Sequence, residues 1–194
     1  MELLTVIESS VTCGALAMVL GGPATACGQA VTLDEPAMLS MSAVAAPNHH
    51  FHCNTGYTTR TCTEQLKRLQ DVLSGMDLAP LGEWTWILVR SDDWKPILRR
   101  VGCDPDSPAF TILEKRQTFL EEALFNPSQE RGQKLLEKWR VPLDQLLLVA
   151  VAHELGHALC RETDEARTIR YADELHRTGT VTCATESGRP HLRN

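Results

Sequence analysis

The chain has 194 residues, of which 43% are hydrophobic and 23% charged, with a net charge of −6. That length suits one domain with terminal extensions, and the apolar share supports a core. The acidic balance speaks against nucleic-acid binding, which needs clustered Lys and Arg. No run of about 18 apolar residues marks an integral membrane span.

No Lys or Arg precedes Arg60. Within residues 1–26, Val11 to Leu20 make a short apolar run, followed by Gly21-Gly22-Pro23 and Ala24-Thr25-Ala26-Cys27. The pattern is that of a secretory signal with an A-x-A cleavage site, or of a degenerate lipobox that would put a lipid anchor on Cys27. It lacks a basic n-region, so the competing expectation is a disordered N-terminus on a cytoplasmic protein. The cysteines lean towards export. Cys53 and Cys62 bracket a short polar loop that a disulfide closes easily, and Cys160 and Cys183 suit a second bridge. Such bridges belong in an oxidising compartment. The expected location is periplasmic, extracellular or lipid-anchored.

Residues 27–58 are rich in Ala, Pro, Ser and Met and are expected to be a linker, with His49-His50-Phe51-His52 in an exposed loop. A folded domain is expected over 59–180. Thr61 and Glu64 make a capping box, ahead of a helical stripe of Leu66, Leu69, Val72, Leu73 and Met76. Gly75, Pro80 and Gly82 end that element. Glu83 to Arg90 alternates and is rich in Trp, Ile and Val, which predicts a strand with Trp84 and Trp86 in the core. A short helix follows near Lys95 to Arg100. Residues 109–125 fit either one helix or two strands, Ala109 to Glu114 and Gln117 to Glu121, joined at Lys115-Arg116. Ser128 caps a polar helix to about Trp139, and Pro142 is expected to start the next one. Residues 181–194 form a C-terminal tail.

The next helix carries the chemistry. Val149-Ala150-Val151-Ala152-His153-Glu154-Leu155-Gly156-His157 contains H-E-x-x-H within an apolar run. On a helix His153 and His157 lie on one face, one turn apart, a spacing that lets two imidazoles grip one Zn²⁺. Glu154 is rotated by roughly 100° from His153, beside the metal. Leu146, Leu147, Leu148, Val149, Val151, Leu155 and Leu159 make the helix apolar almost all round, hence buried. Two histidines and a glutamate there need partners, and one zinc per chain satisfies them.

A catalytic zinc takes three protein ligands and leaves a position open. The metzincin extension fails, because Cys160 and Thr163 stand where Gly and His are needed. The acidic candidates are Glu162, Asp164, Glu165, Asp173 and Glu174, with Thr163 a plausible N-cap for a following helix. The stretch from Glu165 through Thr168, Tyr171 and Ala172 to Glu174-Leu175 resembles E-x-x-A-N-x-F-A-x-E-L, which follows H-E-x-x-H in compact gluzincin-like peptidases of the minigluzincin type, including the ImmA/IrrE-like peptidases. Thr168 and Ile169 replace Ala-Asn of that pattern. The resemblance covers residues 149–175. It implies an α+β, zincin-like fold: a small mixed sheet on a buried HExxH helix, then a second helix bearing the third ligand. It implies Glu165 as that ligand, and it favours the two-strand reading of 109–121, since zincins set an edge strand beside the metal helix.

These residues point to a zinc metallopeptidase acting on peptides or proteins. His153, His157 and Glu165 hold the metal, and Glu154 serves as general base towards an activated water. Tyr171 and His176 are weak candidates for an oxyanion donor. Two alternatives remain: a secreted zincin-like binding domain with structural zinc, and a cytosolic regulatory protease resembling ImmA.

Overall fold

The computed structural model of the protein describes residues 39–42 and 48–184. The signal-like segment 1–26, the lipobox candidate Cys27 and residues 185–194 lie outside the described residues. The described part is α+β. Its strands are β1 (Leu39–Ser42), β2 (His49–Cys53), β3 (Trp84–Val89), β4 (Ala109–Ile112) and β5 (Gln117–Glu121). Its α-helices are α1 (Thr59–Leu73), α2 (Ser91–Val101), α3 (Gln129–Trp139), α4 (Leu146–Cys160) and α5 (Glu165–Thr178). Among the described residues no helix is long and apolar enough to cross a membrane.

The sheet is mixed, in the order β1-β2-β3-β5-β4. β3 is parallel to both β2 and β5, while β1 and β4 pair antiparallel to their neighbours at the two ends. Alternation along β3 separates two cores. Trp84, Trp86 and Leu88 join a large cluster with Leu66 and Leu69 of α1 and Leu146, Val149 and Leu155 of α4. Ile87 and Val89 face the other way, onto Trp94 and Leu98 of α2. Each fully buried leucine of this kind contributes roughly 2 kcal/mol, so α4 is anchored well before its histidines are reached.

The linker expected over 27–58 is in part sheet, because β1 and β2 fall within it. β2 alternates: His49, Phe51 and Cys53 are buried and His50 is exposed. The alternation is disguised because a histidine takes the first inward position. Trp86 Nε1 donates to His49 Nδ1 at 3.1 Å, which makes that burial tolerable. Burial also holds the His49 imidazole below its ordinary pKa, in keeping with a neutral acceptor ring. The His49–His52 cluster is therefore a strand, not an exposed loop.

Four helix starts move from their expected positions, among them α2, which begins at Ser91 instead of near Lys95. α1 begins earlier, with Thr58 as N-cap accepting from Thr61 N at 3.1 Å, and Glu64 pairs with Arg60 instead of closing a capping box. Pro142 lies in a turn, and α4 begins only at Leu146. α5 is capped by Asp164, not Thr163. Ser128 caps α3 as expected. The two-strand reading of 109–121 holds, with Arg116 left-handed at the turn. Both expected disulfides, Cys53–Cys62 and Cys160–Cys183, are formed.

Candidate metal centre

α4 delivers His153 and His157 from its C-terminal half. Arg161 then takes a left-handed conformation (φ 49°), and both its N–H and that of Glu162 bond back to His157 O. That reversal is what allows the short connection to α5. Glu162 secures it: its Oε1 accepts from the N–H groups of Thr163 and Asp164, and its Oε2 pairs with Arg167 at 2.9 Å. Asp164 Oδ1 accepts from Arg167 N at 2.9 Å and starts α5. Glu165 is the first residue of that helix, and it is brought back against the two histidines.

Close helix packing completes the approach. A Cβ placed on Gly156 would stand 3.0 Å from Thr168 O and 3.4 Å from Tyr171 Cβ. The glycine is thus where α5 touches α4, one residue before the second histidine.

The donor atoms of His153, His157 and Glu165 all lie within 4.8 Å of one another. Glu165 Oε2 is 3.3 Å from His153 Nε2 and 3.6 Å from His157 Nε2. Zinc ligands placed tetrahedrally at about 2.0–2.2 Å stand about 3.3–3.6 Å apart, so the two spacings from Glu165 fit a shared ion. Glu165 Oε2 and His153 Nε2 are buried, face each other at 3.3 Å and have no hydrogen-bond partner outside the cluster. Such orphans are costly unless something binds them. His153 is almost wholly enclosed, whereas the Glu165 side chain is 35% exposed, which leaves the cluster open to solvent on one side.

The tautomer of His157 is set by its other nitrogen. Nδ1 lies 2.6 Å from Glu162 O, which only accepts, so Nδ1 carries the proton and Nε2 presents a lone pair when the ring is neutral. Thr168 Oγ1 stands 3.2 Å from the same nitrogen and donates its own proton to Asp164 O. Thr168, which departs from the minigluzincin-type pattern, thus helps hold the His157 ring in place.

Charges in the metal-free cluster are strongly coupled. Burial alone would lower the His157 pKa, but the Glu165 carboxylate, with Glu154 behind it, raises it to about 9. Burial alone would raise the Glu165 pKa, yet the two imidazoles bring it down to about 2. Glu154 is the reverse case. Its full burial outweighs the nearby histidines and pushes its pKa up. Glu154 Oε2 has no partner, and Thr111 of the end strand β4 reaches the carboxyl.

All four singled-out residues, His153, Glu154, His157 and Glu165, come together. Asp164 and Glu162 serve the turn, and His176 sits in the last turn of α5, away from the cluster. The Tyr171 hydroxyl accepts from Ala184 N, so it ties down the segment after α5. Sequence reasoning passed over Glu162, Thr168 and Thr111 as supports of the cluster. For Thr111 a signal existed: a polar residue at a strand position among apolar ones, on the strand set beside the metal helix. Comparison with protein-family models, with curated proteins and with solved structures found no match.

Proposed function

We propose that the protein is a zinc-dependent hydrolase, a zincin-like peptidase working outside the cytoplasm. The observation that carries this is the convergence of three candidate ligand atoms within 4.8 Å, with the two Glu165 spacings matching a shared zinc and a buried glutamate following His153 on the same helix. His153, His157 and Glu165 would hold the ion. Bound there, zinc would lower the pKa of a water and polarise a carbonyl. Glu154 takes the proton from the attacking water and passes it to the leaving amine.

A purely structural zinc gives Glu154 no role, although burying a carboxyl oxygen without a partner is expensive. The exported reading draws on the two disulfides, which persist in oxidising compartments and disfavour a cytosolic regulatory protease. The deciding experiment pairs metal analysis with peptide hydrolysis. Wild type should carry close to one zinc per chain, and His157→Ala should lose it. Glu154→Gln should keep zinc and lose about 10²–10⁴-fold in turnover. Equal zinc in wild type and His157→Ala removes the site, and full activity in Glu154→Gln removes the mechanism.

A further inference from the structure

We propose that Cys27 is joined by a disulfide to Cys103, a bond that fastens the segment ahead of β1 to the end of α2 and rules out a lipid anchor on Cys27. It rests on the reading of the protein as exported, because such a bond forms and lasts in an oxidising compartment. The chain has seven cysteines. Four of them are used in Cys53–Cys62 and Cys160–Cys183. Cys103 is disulfide-bonded as well. Its partner therefore lies outside the described residues, and the two cysteines left are Cys13 and Cys27.

Sequence position separates the two. Cys13 stands inside the apolar run Val11 to Leu20, ahead of Ala24-Thr25-Ala26. Cleavage at that A-x-A site removes Cys13 and keeps Cys27. Six cysteines then make three bridges, with no thiol left over. Cys27 also has the reach. It is twelve positions ahead of Leu39, the first residue of β1. An extended chain of that length spans up to roughly 40 Å. β1 and β4 close the two ends of the five-stranded sheet, and strands about 4.8 Å apart put those ends only about 19 Å from each other. Cys103 lies between α2 and β4, within that range. Its own place is set: Cys103 N bonds back to Leu98 O at 3.0 Å, and the residue packs against the cluster of Trp94 and Leu98.

Two fates compete for the Cys27 sulfur. Lipidation at a lipobox turns the thiol into a thioether. Bridge formation joins it to the Cys103 sulfur instead. In that step the two thiols give up two protons and two electrons to the disulfide of a thiol oxidoreductase, which leaves as a dithiol. One sulfur cannot do both, so the bonded state of Cys103 assigns Cys27 to the bridge and leaves it without lipid. Cys103 lies with α2 on one face of the sheet, whereas α4 and its histidines pack on the other. The tie therefore decides where the N-terminal segment is held and does not act on the metal cluster.

The test uses the full chain with its own N-terminal segment, recovered from the compartment it reaches. The protein is alkylated without reduction and cut at acidic residues, because Asp34 and Glu35 separate Cys27 from Cys53 whereas no Lys or Arg does. The peptides are then sequenced by mass spectrometry. A peptide holding Cys27 should be linked to one holding Cys103, and the pair should part on reduction. A Cys13–Cys103 link, or a thioether lipid on Cys27, overturns the bridge. So does a Cys103 that takes the alkylating reagent while Cys53–Cys62 and Cys160–Cys183 stay joined, and that result leaves the exported reading standing. Alkylation of every cysteine takes down the exported reading and the bridge with it. Cys103→Ser is the second variant. Its Cys27 should become reactive to the reagent while the other two bridges are unchanged, and a Cys27 as unreactive as in wild type overturns the pairing.

Discussion

Three neighbouring acidic residues show how side chains of similar chemistry are sorted by position. Glu165 faces the histidines, Asp164 caps α5, and Glu162 folds back onto the turn it belongs to. Glu165→Ala should therefore lower zinc affinity by several orders of magnitude in a chelator competition. Asp164→Ala should cost about 1 kcal/mol of stability, the worth of an N-cap, with zinc affinity nearly intact. Glu162→Ala should cost more stability, because two N–H groups and Arg167 lose their partner. A collapse of zinc affinity in Asp164→Ala and not in Glu165→Ala would show that the third ligand is misassigned. The same cluster sets a pH signature in the metal-free protein. His157 has a folded pKa of about 9 against an ordinary 6.5, so its contribution is complete below 6.5 and fades as pH rises through 9. Glu165 has a folded pKa of about 2 against an ordinary 4.5, so its contribution is complete above 4.5 and fades as pH falls through 2. Urea unfolding of metal-free protein should show stability falling between pH 6.5 and 9, and Glu165→Gln should flatten that fall. A wild-type profile flat over that interval would contradict the ion pairing.

Helix pairing decides whether these side chains meet. α4 and α5 close on each other over Gly156, where a methyl group would press on the backbone of Thr168. Gly156→Ala gains about 1 kcal/mol of helix propensity but incurs overpacking of about 1–3 kcal/mol. A backbone neighbour in a docked helix yields less readily than a side chain, so the net effect should be destabilising. α5 should also move away, carrying Glu165, one turn before Thr168, from the histidines. Calorimetry and zinc titration should show both losses together, and a stabilised variant with full zinc affinity would mean α5 adjusts freely. Trp84–Val89 was legible from its alternation and strand-forming residues, and Leu146–Cys160 from its long apolar run, whereas residues 109–121 fitted two readings and were placed by the resemblance. β2 was not legible, because its inward residues are His49, Phe51 and Cys53, and only the Trp86 indole, 37 positions away, makes the histidine an inward residue. The helix starts shifted for a similar reason. Thr163 has capping chemistry, but it is Asp164 whose Oδ1 accepts from Arg167 N, while Glu162 accepts from the N–H groups of both residues. The four cluster residues were legible from local spacing and resemblance, whereas the packing of β4 against α4 depends on strand order that no local pattern states.

At the scale of the whole molecule, the two disulfides that join described residues brace the layers that hold the site. Cys53–Cys62 joins the end of β2 to the first turns of α1, and Cys160–Cys183 joins the last residue of α4 to the segment beyond α5. The second tie spans 23 positions and closes a loop that contains Glu162, Glu165 and Thr168. Loop-closure entropy assigns a bridge of that span about 3 kcal/mol, acting through the unfolded chain. The cluster itself is held by other means: the reversal at Arg161, the Glu162 and Asp164 hydrogen bonds, and the contact over Gly156. Replacing Cys160 and Cys183 together by Ser should therefore lower unfolding stability by about 3 kcal/mol while one zinc still binds per chain with little loss of affinity. Replacing Cys53 and Cys62 should cost a similar amount and leave zinc equally untouched. Urea unfolding and zinc titration of both double variants are the measurements. If removing Cys160–Cys183 abolishes zinc binding in a chain that remains folded, the disulfide and not the turn holds Glu165 in place, and metal binding would then follow the redox state of its surroundings.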